Sequence, residues 1–97
     1  MTDKEKSEEF YNKLRGHLQE STTWPSQYLY KFIVKSEQVK IDTIEAIFNH
    51  TGAVIKTKES RAGKYTSVSI NVIMENPDAV ISKYIEVSEK VEGVISL

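Results

Sequence analysis

Two periodicities alternate along the chain. Over residues 3–20, Phe10, Leu14 and Leu18 recur every four positions among charged side chains, with Tyr11 beside them, which is the narrow apolar stripe of an amphipathic helix. Thr2 and Glu5 have the spacing of a capping box, and Glu9 and Lys13 form an i,i+4 pair. Gly16 lies inside the stripe and lowers the helix propensity there. So thin a stripe does not hold a helix in water, so this one is expected to dock. Residues 21–26, Ser-Thr-Thr-Trp-Pro-Ser, read as a connector, because Pro25 lacks a donor and steers Trp24 towards extended geometry.

From Gln27 to Lys35 the period falls to two. Tyr28, Tyr30, Phe32 and Val34 share one face of a strand, and Leu29, Lys31, Ile33 and Lys35 share the other. The aromatic face is assigned to the core, since the opposite choice would bury two lysines. Helical spacing returns over Val39–Thr51, with Ile41, Ile44, Ile47 and Phe48 on one side and Gly52 placed for a left-handed C-cap. Ala53–Ser60 is a second strand that turns polar as an edge strand does. Arg61-Ala62-Gly63 makes a hairpin connection in which Gly63 supplies a positive φ. Lys64–Glu75 alternates most cleanly: Thr66, Val68, Ile70, Val72 and Met74 point inward, and Tyr65, Ser67, Ser69, Asn71 and Ile73 outward. Asn76-Pro77-Asp78 starts a helix whose stripe is Val80, Tyr84, Val87 and Val91, widened by Ile81 and Ile85. Gly93–Leu97 closes as a short strand.

After the first helix the order is β-α-β-β-α-β, a split βαβ arrangement of the α+β class. Right-handed crossovers put both helices on one face of a four-stranded antiparallel sheet, and the hairpin inserts the third strand between the first and second, giving the order 4-1-3-2. The other face is left uncovered. Residues 1–23 form the extra helix and connector, and residues 24–97 the sheet domain.

Composition supports a sheet-centred domain. Ile and Val number nineteen against four Leu, and β-branched side chains favour pleated surfaces. Ninety-seven residues suit one core, and the absence of cysteine excludes disulfide scaffolds, thiol catalysis and Cys-ligated metals. Thirteen basic and fourteen acidic residues leave a formal charge of -1, so no global field recruits nucleic acid or an anionic membrane. The charged beginning of the chain lacks the apolar run of a signal peptide or membrane span, and a cytoplasmic location is expected.

Three segments carry a resemblance. Trp24-Pro25-Ser26-Gln27-Tyr28-Leu29-Tyr30-Lys31, the hairpin Ser60-Arg61-Ala62-Gly63-Lys64-Tyr65-Thr66-Ser67-Val68-Ser69-Ile70, and the ending Val91-Glu92-Gly93-Val94-Ile95-Ser96-Leu97 resemble the YbeD-like family of small bacterial proteins. The likeness covers residues 24 to 97 and implies a ferredoxin-like fold similar to the regulatory ACT domains, in a family without an assigned function. It departs at Val34-Lys35, where the family carries a Gly that in ACT domains lets a ligand approach the backbone.

Candidate chemistry is sparse. His17 and His50 have no nucleophile or orienting carboxylate in a recognisable motif, and His50 reads as a cation beside the second helix's last carbonyls. No metal-ligand spacing and no phosphate-cradling glycine loop occurs, so an enzyme is not expected, nor any cofactor. RNA-binding domains share this strand order but stack bases on several sheet aromatics; here Tyr65 is followed on its face by Ser67, so nucleic acid is an unfavoured partner. An ACT-like module would take a small metabolite near Lys35-Ser36-Glu37-Gln38. A protein partner or a homodimer would use the uncovered face with Leu29, Ile33, Tyr65 and Ile73, onto which the N-terminal helix can also dock, or onto another subunit; docking within its own chain is simplest. The expected contact residues are Arg61, Lys64 and Tyr65 at the hairpin and Lys31 on the open face, with Gly63 shaping the turn.

Overall fold

In a computed structural model that describes residues 3–97, with side chains from Lys6 onward, the elements are α1 (Asp3–Ser21), β1 (Ser26–Lys35), α2 (Gln38–Ile47), β2 (Val54–Glu59), β3 (Tyr65–Met74), α3 (Pro77–Lys90) and β4 (Ile95–Ser96). The sheet is antiparallel in the order β2-β3-β1-β4, the expected 4-1-3-2 read from the other edge. The Thr2/Glu5 capping box lies outside the described residues.

The two long strands set the core. Their register pairs Tyr30 with Ile70 and Phe32 with Val68, and all four side chains are buried. Ile44 and Ile47 of α2, and Val80, Tyr84 and Val87 of α3, close over that row. Thr66 is the buried polar member, and its hydroxyl lies 2.8 Å from that of Ser36, so it is not left unpaired. Asn76 caps α3 as its sequence predicts, its side-chain oxygen accepting from the Ala79 N–H at 2.8 Å, with Pro77 in the first turn.

α1 agrees with the helix expected over residues 3–20 and runs unbroken through Gly16, where an added Cβ would meet nothing within 4 Å. Three expectations are corrected. α2 ends at Ile47 rather than Thr51. Its last turn tightens, with the N–H groups of Phe48 and Asn49 donating three residues back, and the Thr51 hydroxyl takes the Phe48 carbonyl at 2.6 Å. His50 and Gly52, both at positive φ, therefore sit in the turns beyond the helix. The cation on the α2 carbonyls is Lys83, which donates to the Ile47 oxygen at 2.7 Å and lies over the Phe48 ring.

The third concerns the seat of α1. It docks within its own chain, but on the helix layer and not on the uncovered sheet face. Tyr11, Leu14 and Leu18 pack against the core beside α3, and Arg15 pairs with Asp78 at the start of α3. Trp24, before a cis bond to Pro25, packs there too, its indole N–H donating to the Leu18 carbonyl at 3.0 Å.

Ile44→Ala or Ile70→Ala, each removing a fully buried side chain, should cost about 2–5 kcal/mol, and a urea melt unmoved by either would contradict this core. Gly16→Ala, in a continuous helix with room for a methyl group, should instead stabilise by about 0.5–1 kcal/mol in the same measurement.

Candidate functional site

With both α2 and α3 on one side and α1 added to that side, the outward row of the sheet is left to solvent. Register sorts it into cross-strand rows. Val54, Asn71 and Leu29 form one, Lys56, Ser69 and Lys31 the next, and Lys58, Ser67, Ile33 and Ile95 a third; Ile73 with Gln27 and Tyr65 with Lys35 stand at the two ends. Leu29, Val54, Tyr65, Ile73 and Ile95 are all exposed there, Ile73 by 71% and Leu29 by 59%. Leu97 joins them at the edge, donating its N–H to the Lys31 carbonyl at 2.9 Å.

The apolar side chains gather into two hollows. One, of about 390 Å³, is lined by Leu29, Val54 and Ile73 with Asn71 and Lys56; the other, of about 290 Å³, by Ile33, Tyr65 and Leu97 with Lys31 and Lys58. Small Ser69 of the first hollow and Ser67 of the second meet on β3, flanked by lysines. Among the described residues, no strand position on this face carries Asp or Glu, although Glu59 stands at the rim of the second hollow. The acids gather on the helices, at Glu8, Glu9 and Glu20, Asp42 and Glu45, and Asp78, Glu86 and Glu89.

The expected contact residues fall partly on this face. Lys31 and Tyr65 both line the second hollow, and the Lys64 ammonium lies 5.6 Å from the Tyr65 ring centroid. Arg61 is exposed at the tip of the hairpin, apart from the hollow. Gly63, at φ 72, donates its N–H to the Ser60 carbonyl, and the turn is closed by the Ser60 N–H donating to the Tyr65 carbonyl and the Tyr65 N–H donating to the Ser60 hydroxyl. Val54, Lys56, Lys58, Ile95 and Leu97 were not singled out by the residue pattern. The signal that finds them is the register of β2 and β4, which a one-strand reading does not contain.

The loop after β1 is satisfied internally. The Ser36 N–H donates to the Lys64 carbonyl, Glu37 pairs with Lys40 at 3.2 Å, and the Gln38 amide donates to Asp42. Beneath the helices, the Tyr28 and Tyr84 hydroxyls lie 2.7 Å apart and the Tyr30 hydroxyl donates to the Val80 carbonyl at 3.0 Å. Burial first, then the neighbouring Tyr28, pushes the Tyr30 and Tyr84 hydroxyls well above the ordinary phenol range, so they stay neutral and structural. Among the described residues, no three His, Asp or Glu side chains are grouped to hold a metal, and no helix is long and apolar enough to cross a membrane.

A family model described as protein of unknown function (DUF493) matches residues 19–95. The chain belongs to the DUF493 family. The match spans β1, β2, β3, the first residue of β4, and both α2 and α3, so the hairpin and nearly all of the open face lie within the DUF493 region, whereas nearly all of α1 precedes it and Leu97 follows it. No curated protein and no solved structure matches the chain.

The buried phenols give a pH signature. Their folded-state pKa lies above the ordinary 10.0, so the stability they contribute is complete below about pH 10 and is lost as pH rises further. In an ultraviolet titration, Tyr30 and Tyr84 should ionise only in a cooperative step that coincides with loss of circular dichroism. Smooth ionisation of all five tyrosines with the fold intact would contradict their burial.

Proposed function

We propose that this domain is a non-enzymatic adaptor or regulatory module that binds another protein through its uncovered sheet face. The observation that carries this reading is the gathering of exposed large apolar side chains on one side of one sheet, with Phe10, Val39 and Ile85 the scattered remainder among the described residues. Single exposed apolar residues are ordinary, but apolar side chains gathered in two neighbouring hollows of one face and rimmed by polar groups mark a contact surface. The likeness to regulatory ACT domains that the YbeD-like resemblance implies is in keeping with a regulatory role. A metabolite-sensing role of the ACT-like kind has weaker support: a depression of about 400 Å³ beside Lys35, Lys40, Glu92 and Gly93 is the observation in its favour, and the internally paired loop next to it is the one against.

Leu29→Glu combined with Ile73→Glu tests the proposal, since both side chains are already in solvent and the fold should keep its melting temperature. Proteins retained from a native lysate by the wild type should be lost from the double variant. Retention unchanged by the two substitutions would place the binding surface elsewhere.

A further inference from the structure

We infer that the occupant of the open face is an acidic, extended protein segment carrying an apolar anchor at each end. The inference rests on the open face being the working surface, and it adds the chemistry of the partner. Lys56 and Lys58 stand on one side of the Ser67–Ser69 floor, and Lys31 on the other. Adjacent strands lie about 4.8 Å apart, so the lysine-bearing strands flank a trough roughly 10 Å wide, enough for one extended chain whose carboxylates reach both walls. The serines leave room for a backbone to lie low on β3.

The hollows fix the spacing of the anchors. On β3 the first spans Ser69–Ile73 and the second Tyr65–Ser67, so their centres lie about five residues apart. At about 3.4 Å per residue that is roughly 17 Å, so two apolar side chains roughly four to six positions apart, both facing the sheet, would fill both in an extended ligand.

Other occupants fit less well. A second copy laid face to face would set lysine rows against lysine rows, which is repulsive. Single-stranded RNA would find phosphate partners in the lysines, but the first hollow is aliphatic and Tyr65 is the one aromatic ring of the face, already under Lys64.

The experiment is fluorescence anisotropy with a labelled peptide bearing two leucines about six positions apart and glutamates between them. Comparators are the same peptide with glutamine, the same with lysine, and a single-stranded RNA oligonucleotide. The acidic peptide should bind most tightly, weaken as salt rises, and lose about tenfold or more in affinity to Lys31→Glu combined with Lys56→Glu, two exposed changes that should leave the melt unaltered. The inference is overturned if the glutamine peptide binds as well, if RNA binds more tightly, or if the acidic peptide does not bind at millimolar concentration. None of those outcomes touches the broader reading, which the Leu29 and Ile73 variant decides separately.

Discussion

Every other feature of this domain hangs on the alternation of side chains along β1 and β3. Burying Tyr30, Phe32, Val68 and Ile70 against one another commits Lys31, Ile33, Ser67 and Ser69 to the opposite side, because successive strand residues point to opposite faces. A slip of one residue would bring Lys31 under the helices and turn Tyr30 to water, so the register is held by a large difference in burial. The inward row leaves the right-handed crossovers one place to put α2 and α3. The chemistry of the open face is therefore the complement of the core, fixed by the same two strands.

Placement of α1 sharpens that division. Its stripe of Tyr11, Leu14 and Leu18 joins the helix layer beside α3, closer to an already apolar environment than the lysine-bearing sheet face would be. The Arg15–Asp78 pair sets an anion in α3's first turn against a cation of α1. The consequence is a molecule with a formal charge of -1 whose acids sit largely on the helices while its outward strand positions carry lysine. Near-neutrality conceals a sheet face whose strand charges are all lysine, and a whole-chain charge says little about what that face attracts.

How much of this the residues disclose depends on the range of the interaction. Strand faces are legible because alternation is local: Lys31 and Lys35 alone exclude the wrong parity for β1. The start of α3 is legible because Asn76 and Pro77 act on their own turn. The end of α2 is not, since apolar spacing continues to Phe48 while termination depends on the Thr51 hydroxyl and on Lys83, a residue of another helix. The docking of α1 was foreseeable from its thin stripe, but its seat was not, because two apolar surfaces competed for it. The candidate site divides in the same way. Lys31, Tyr65, Leu29 and Ile73 follow from single-strand parity, whereas Lys56, Lys58 and Val54 join them only through the β2–β3 register.

An exposed apolar sheet face is ordinarily a liability, and the lysines explain how this one is tolerated. The row of Lys56, Ser69 and Lys31 crosses the sheet between the two hollows, so neither apolar cluster is continuous with the other. Ammonium groups there must stay hydrated, which penalises any apolar surface laid over both hollows at once, and outward lysine on the edge strand β2 discourages strand addition. The same row selects a partner. Carboxylates that replace the lost hydration remove the penalty and join the two hollows into one surface, while a neutral apolar surface pays it in full. On the proposed reading, solubility of the free domain and preference for an acidic segment are thus two consequences of one stripe of charge, and replacing its lysines by neutral side chains should weaken the preference and also make the face stickier.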